Sequence, residues 1–212
     1  MLKIDNTEIT LGNFPDGTLA VKAPSAPRGE VVYFTWLYEN DAELFTLICL
    51  VRHYHWVKDF VLRMPYVPHA RMDRVKNEED VFTLKYFCEV INSLNFTTVW
   101  VRDAHSNVSL ALLNNVKEEN ISPYIHEAFD KAGAEALFFP DEGAMNRAIY
   151  FANHLGVDVG MFYKRRNYSV IVNGKNPIEA HEYLGRSVEG KDVMIVDDMI
   201  SSGESVLDIA QK

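Results

Sequence analysis

The sequence predicts an α/β fold with mainly parallel sheets covered by helices, and three observations predict it. Short runs of β-branched and aromatic residues alternate with longer amphipathic segments along the chain, the pattern of strand–helix–strand units. Two of the runs, Val99–Asp103 and Ile195–Asp198, each bring a strand to an acidic tip just before a helix, which is where open α/β sheets bind ligands. The chain has 212 residues, 48% hydrophobic and 24% charged, ordinary proportions for a globular protein and enough for one large domain or two small ones. The repeated strand-to-acid pattern suggests two halves, 1–122 and 123–212, meeting near Ser122.

Taken in order, Leu19–Ala23 and Val31–Trp36 are the first candidate strands, built from strand-forming residues. Asp41–Lys58 follows as a helix, with Leu44, Leu47, Ile48, Val51 and Trp56 on a core-facing stripe. Phe60–Met64 is the next strand. Pro65–Asn77, polar and Pro-bounded, is a loop long enough to suggest function. Glu79–Leu94 is a helix, Thr98–Arg102 a strand, and Ser106–Leu113 and Pro123–Lys131 are helices. Ala136–Phe139 is a short apolar strand, Glu142–Leu155 a helix and Val157–Tyr163 a strand. Gly174–Gly190 is the second irregular stretch. Val193–Val196 is the last strand, and Gly203–Lys212 opens a helix with apolar Val206, Leu207 and Ile209. The sequence stops before that helix can finish packing, so a shortened chain, its second half incomplete, is expected.

Composition excludes several function classes. The formal charge is 21 − 30 = −9, which argues against a general nucleic-acid or acidic-membrane binder. Apolar runs fall short of the roughly 18–20 residues of a membrane span, and Met1–Ala20 lacks the basic head and apolar block of a secretory signal. Cys49 and Cys88 sit inside apolar, helical segments without metal or redox spacing. They are expected as buried thiols of a cytoplasmic protein.

The segment from Val193 through Asp197 and Asp198 to Ser205 carries the strongest chemical signal. A buried strand runs into two adjacent carboxylates, then into the turn Ser201-Ser202-Gly203-Glu204-Ser205, then into a helix. Carboxylates accept hydrogen bonds from vicinal ribose hydroxyls, and backbone N–H groups of such a turn hold a phosphate. The alternative for the turn is an ordinary helix cap with Ser202 capping. The adjacent like charges favour a ligand, because such a pair needs a cation or a polyol beside it. Arg71 and Arg74, in the Pro-bounded loop, suit polyphosphate contact or stacking on a base. His105 follows Asp103 at a strand end, a position for phosphate or metal-linked contact. Asp141 opens a helix and is either a cap or a metal contact. Lys164-Arg165-Arg166 follows the strand Val157–Tyr163 and can neutralise charge on a transferred phosphoryl group.

The Asp197–Ser205 segment resembles the phosphoribosyl-diphosphate loop of the type I phosphoribosyltransferase fold. Five further segments make the chain similar to one family, the ribose-phosphate pyrophosphokinases. Asn13–Thr18 resembles its Phe-x-Asp-Gly-Glu segment, and Met64–Arg74 its Pro-Tyr…Ala-Arg-Gln-Asp-Arg flag loop. Asp103–His105 matches its Asp-x-His element, Pro140–Ala148 resembles its Pro-Asp-x-Gly-Gly…Arg-Ala, and Tyr163–Arg166 matches the start of its catalytic flexible loop. All occur in the family's order from Phe14 to Ser205.

The resemblance implies two phosphoribosyltransferase-like halves and transfer of the β,γ-diphosphoryl group of ATP to the C1 hydroxyl of ribose 5-phosphate, giving phosphoribosyl diphosphate and AMP. It implies an ATP site from Phe14, Asp16, Arg71, Met72 and His105, and Mg²⁺ held by His105 and Asp141 with the polyphosphate. Asp197 and Asp198 take the ribose, and Ser201, Ser202, Gly203 and Ser205 the 5-phosphate. Lys164 and Arg166 act on the transition state, and they lead into a stretch, Asn167–Gly190, expected to move as a lid. A homo-oligomer, dimer or hexamer, is implied, with no nucleic acid and no membrane as partner. The chain departs from the family pattern at Thr18 (usually Glu), Met72 (usually Gln), Ser202 and Ser205 (usually Thr) and Glu204 (usually small). Only a short segment precedes Phe14, so the family's first strand–helix unit is expected to be reduced or lost. A phosphoribosyltransferase that consumes phosphoribosyl diphosphate, or a non-catalytic regulatory homologue, remain as alternatives.

Overall fold

The structure, a computed structural model, describes residues 1–25, 30–166, 169–170, 178–200 and 202–211; within its helices and strands the side chains of residues 147, 148, 164, 166, 178–181, 204, 205 and 208 lie outside the description. Packing divides the chain into Met1–Asn120 and Ile121–Lys212, each with its own apolar core.

In the first unit, β1 (Leu2–Ile4) and β2 (Thr7–Glu8) form a hairpin, and β3 (Gly12–Asn13) and β4 (Leu19–Ala20) form a second. Then come β5 (Val31–Trp36), α1 (Asp41–His53), β6 (Asp59–Arg63), α2 (Thr83–Ser93), β7 (Thr98–Arg102), α3 (Asn107–Leu112) and β8 (Val116–Glu119). The main sheet runs β2-β1-β5-β6-β7-β8, parallel from β5 to β8. β1 lies antiparallel to β5, pairing Leu2 with Trp36 and Ile4 with Phe34. Alternation along β5 decides its faces: Val32, Phe34 and Trp36 are buried, and Val31 and Tyr33 are exposed. The buried set packs with Leu47 and Leu50 of α1 and Leu84, Phe87 and Ile91 of α2. No helix precedes α1 among the described residues.

The first helix is shorter than predicted. It starts at the N-cap Asn40, whose side chain accepts the Ala42 N–H at 3.1 Å, and ends at His53. Tyr54 leaves the helical conformation, buries its ring in the core and donates its hydroxyl to the Pro24 carbonyl at 3.0 Å. His55 and Trp56 then fall in a turn, so Trp56 is exposed and not on the core stripe. The core also holds one carboxylate, Glu43. It accepts the Trp36 indole N–H and the Glu39 N–H, both at 2.9 Å, and pairs with the ammonium of Met1.

In the second unit, α4 (Ser122–Ala132), β9 (Ala136–Phe139), α5 (Glu142–Leu155), β10 (Asp158–Arg166), β11 (Ile178–Gly185), β12 (Val193–Ile195) and α6 (Glu204–Ala210) build a sheet of order β11-β10-β9-β12. β9, β10 and β12 are parallel, and β11 is antiparallel to β10. Leu137, Phe139, Met161 and Val196 meet Phe129 of α4 and Ala144, Phe151 and Ala152 of α5 on one face. Helices α4 and α5 both end on a left-handed glycine, Gly133 (φ 62) and Gly156 (φ 68), a conformation that other residues enter at a cost.

Three further expectations are corrected. The stretch Gly174–Gly190, predicted irregular, contains β11, so part of the expected lid, Ile178–Gly185, is a paired strand. The triplet Lys164–Arg166 lies within β10, because pairing with β11 extends that strand to Arg166. Cys49 is only half-buried, whereas Cys88 is buried as expected. No described helix is long and apolar enough to cross a membrane.

Candidate functional site

In the second unit the sheet reverses direction at β9. The chain goes from β9 through α5 to β10 on one side, and later returns to place β12 on the other. The carboxyl ends of β9 and β12 therefore flank a topological switch point, the usual ligand crevice of an open α/β sheet. Asp141 stands past β9 and Asp197 and Asp198 past β12. Backbone bonding carries this register beyond the strand, since the Val196 N–H donates to the Phe138 carbonyl at 2.9 Å.

These three carboxyl groups interact. Burial, followed by the Asp198 carboxyl and the charge of Asp141, pushes Asp197 up to about 6. The Asp198 N–H donates to Asp197 Oδ1 at 2.9 Å, a smaller pull in the opposite direction. Asp141 is also the N-cap of α5, accepting the Ala144 N–H at 3.0 Å. The cap and the site role are thus compatible in one carboxylate with several lone pairs. After Asp198 the chain reaches an exposed Ser202 and then Gly203, left-handed at φ 76 and the N-cap of α6. The cap carries no side-chain bond, so Ser202 is not the capping residue. Ser201 and the side chain of Ser205 lie outside the described residues.

Past Met161, β10 has left its partner β9 and pairs only with β11, from Phe162 to Arg166. The cation triplet sits on this two-stranded ribbon. Arg165 pairs with Glu182 of β11 at 2.9 Å; the side chains of Lys164 and Arg166 lie outside the described residues.

In the first unit Arg71, Met72 and His105 follow the carboxyl ends of β6 and β7, whereas Phe14 and Asp16 do not. The turn Asp103–His105 is held by the two glutamates that end β8. Arg102 donates to Glu119 Oε2 at 3.0 and 2.8 Å, and Glu118 accepts the Ala104 N–H at 2.9 Å. Asp103 itself is left-handed at φ 42. The loop after β6 folds back on the sheet through the Arg102 N–H, which donates to the Pro65 carbonyl at 3.1 Å. Within the loop His69, left-handed at φ 63, lies 3.4 Å from Asp41 and packs its ring on Tyr38 and Phe87. Arg71 and Met72 are exposed beside it.

The residue that sequence reasoning missed here is Asp73. Its carboxylate is buried and accepts Arg74 Nε at 2.6 Å and Arg74 Nη2 at 2.7 Å. Arg74, with smaller contributions from Ser106 and the His105 ring, holds Asp73 below the usual carboxylate range. Asp73 thus engages Arg74, the cation expected to contact polyphosphate. Its signal in the sequence was an Asp between Met72 and Arg74 in an otherwise basic loop. Phe14 and Asp16 occupy the β3–β4 hairpin turn. Phe14 is 57% exposed, and Asp16 Oδ1 accepts the Thr18 N–H at 2.9 Å and the Thr18 hydroxyl at 2.7 Å. Those bonds hold Asp16 below its usual range, so Thr18 serves Asp16 locally.

No family model matches the chain. Ribose-phosphate pyrophosphokinase 2 of Archaeoglobus fulgidus is 30% identical over 201 residues, covering 93% of this chain and 67% of that protein. The chain belongs to the ribose-phosphate pyrophosphokinase family. The ribose-phosphate pyrophosphokinase of Thermococcus kodakarensis is 28% identical over 210 residues, 96% of this chain and 71% of that protein. The crystal structure of phosphoribosylpyrophosphate synthetase from Mycobacterium smegmatis superposes with a TM-score of 0.75 at 18% identity, covering 96% of this chain and 67% of that one. It shares the fold: two α/β, phosphoribosyltransferase-like units. The chain spans about seven tenths or less of the length of these relatives. Membership makes it one of a family of enzymes, the ribose-phosphate diphosphokinases.

Proposed function

We propose that the chain makes phosphoribosyl diphosphate from ATP and ribose 5-phosphate. The observation that carries this reading is the Asp197–Asp198 pair at the switch point of a chain whose relatives are ribose-phosphate pyrophosphokinases. In the reaction the C1 hydroxyl oxygen attacks the β-phosphorus of ATP. The bond from that phosphorus to the α,β-bridging oxygen breaks, AMP leaves on that oxygen, and the hydroxyl proton passes to solvent. Such a transfer needs positioning and charge neutralisation more than covalent chemistry.

Each residue then has a task. Asp197 and Asp198 accept hydrogen bonds from the ribose hydroxyls, and an ionised Asp197 gains partners that offset its crowding by Asp198 and Asp141. The Ser201–Ser205 turn, with Ser202 and Gly203, takes the 5-phosphate. Phe14 offers an exposed ring for stacking on the base, with Asp16, Arg71, Met72 and His105 as the remaining nucleotide contacts. Lys164 and Arg166 neutralise the moving charge. Asp141 fits a Mg²⁺ ion as a hard oxygen donor, and His105 is assigned to Mg²⁺ with the polyphosphate. Such an ion is typically carried by one or two carboxylates and the substrate's own phosphates. When bound, Mg²⁺ neutralises polyphosphate charge. We extend to this chain the homo-oligomer that the family resemblance implies.

The test is AMP release from ATP with and without ribose 5-phosphate, followed by calorimetry on Asp197→Asn/Asp198→Asn. Synthesis requires AMP to appear only with the sugar phosphate, and the double variant to lose sugar-phosphate binding while keeping nucleotide. AMP release independent of ribose 5-phosphate, or equal loss of both ligands in a folded variant, refutes the reading.

A further inference from the structure

His126 and His154 face each other across the packed pair α4 and α5 in the second unit, His154 in the last turn of α5, the end opposite its N-cap Asp141. Their ring centres are 4.9 Å apart with planes tilted by 59°. His126 Nε2 is buried and finds no hydrogen-bond partner among the described residues. A buried polar atom left in that state keeps its full desolvation penalty, and native structures normally resolve it with a water or an ion. His154, by contrast, is exposed on the rim of the same contact. One nitrogen thus lies inside and one ring is open to solvent, which gives the place both an unsatisfied donor atom and an entry path.

The spacing suits a shared ion. With a metal–nitrogen bond of about 2.0–2.1 Å, an imidazole centre lies roughly 3.2 Å from the metal, and two imidazoles at a tetrahedral angle have centres about 5.2 Å apart. The observed 4.9 Å is close to that spacing. α4 and α5 are held by Phe129, Phe151 and Ala152 in the same core, so the two rings come from elements fixed by apolar packing, as a useful site demands. Neutral imidazole selects Zn²⁺, Cu²⁺, Ni²⁺ or Co²⁺ over Mg²⁺, which separates this place chemically from any ion bound with the polyphosphate.

We propose that His126 and His154 form a two-histidine site for a borderline divalent metal, with Zn²⁺ as the reference ion and water completing its coordination. Zn²⁺ there bridges two helices of the second unit and stabilises that unit by mass action: at a hundred times the dissociation constant the folded-to-unfolded ratio rises about 100-fold.

The experiment titrates the full chain with Zn²⁺ alone, without nucleotide, against a chromogenic chelator, for the natural sequence and for His126→Gln, His154→Gln and His53→Gln. The tightest equivalent should weaken at least tenfold in each of the first two variants and persist in His53→Gln. Millimolar Mg²⁺ should not displace it, and Zn²⁺ should raise the urea midpoint seen by circular dichroism in the natural chain but not in His154→Gln. Because His154 is exposed, its variant folds, and it decides the matter if His126→Gln does not. Persistence of the tight equivalent in His154→Gln, or its displacement by Mg²⁺, overturns the proposal.

Discussion

Replacing Asp197 by Asn should make the protein more stable at pH 8 and leave it unchanged or slightly weaker at pH 4.5. The carboxyl titrates at about 6 in the fold against 3.8 in an unperturbed chain, first because it is buried and then because Asp198 and Asp141 crowd it. The folded state therefore favours the protonated form. The corresponding stability is fully present below pH 3.8 and is lost as pH rises through about 6. The displacement corresponds to about 3 kcal/mol at most. The side chain is only half-buried, so solvent screening brings the expected effect to about 1–1.5 kcal/mol. Asparagine keeps an Oδ1 for the Asp198 N–H and carries no charge at any pH. Urea unfolding followed by far-ultraviolet circular dichroism at the two pH values measures the difference. Trp36, Trp56 and Trp100 all lie in Met1–Asn120, so tryptophan fluorescence in the same samples reports the other unit and should not move. A stability difference that is constant between pH 4.5 and 8, or a loss of stability at pH 8, would refute the reasoning. The gain should come with loss of sugar-phosphate binding, as when a protein retains a destabilising group for its function.

Asp73→Asn should cost about 1–2 kcal/mol, read by tryptophan fluorescence in urea, because it removes a buried charged acceptor of Arg74. Asp73 titrates below its usual range, so the cost should be full at pH 7 and shrink as pH falls below 4; a cost independent of pH contradicts the assignment. Cys88, buried and pushed up to about 11 by that burial, should resist a thiol reagent at pH 8 until urea is added. Half-buried Cys49 should react first, and simultaneous labelling of both would count against this packing. Lys164→Ala should lower kcat by about 10²–10³ with KM little changed. Arg165 is engaged with Glu182 and is not placed to substitute; a rise in KM alone would make the triplet a surface charge run. Finally, Met72 has no amide with which to read a base, so GTP should serve as donor better than in an enzyme strict for ATP, and a survey showing ATP exclusivity would remove that idea.

The core strands and the capped helix were legible because their burial is written in local pattern. Val31–Trp36, Thr98–Arg102, Ala136–Phe139 and Glu142–Leu155 have the predicted bounds. Two of the missed strands, β8 and β11, lie at sheet edges. β8 is Val-Lys-Glu-Glu and β11 is Ile-Glu-Ala-His-Glu-Tyr-Leu-Gly, charged sequences whose pairing comes from a distant neighbour, not from hydrophobic alternation. The acidic tips Asp141, Asp197 and Asp198 could be seen because each follows an apolar run directly. Glu118 and Glu119 could not, since their roles depend on which loop the fold returns to them, through Ala104 and Arg102; Asp73 pairs with its own neighbour Arg74, and only its burial was hidden in a charged loop. Tyr54 ended the first helix for a similar reason: its hydroxyl found the Pro24 carbonyl, thirty residues back.

The two sheets also differ in when they can be completed during synthesis. In the first unit β5, β6, β7 and β8 lie side by side in chain order, so each strand can dock on its predecessor as it leaves the ribosome, a route of short closures and rapid assembly. In the second, β9 first acquires β10 and must keep its other edge open until β12 arrives. Asp197 and Asp198 travel with that last strand. The nascent chain therefore exposes one bare edge of β9 throughout the synthesis of α5, β10 and β11, and the carboxylate pair meets Asp141 only when that edge is closed.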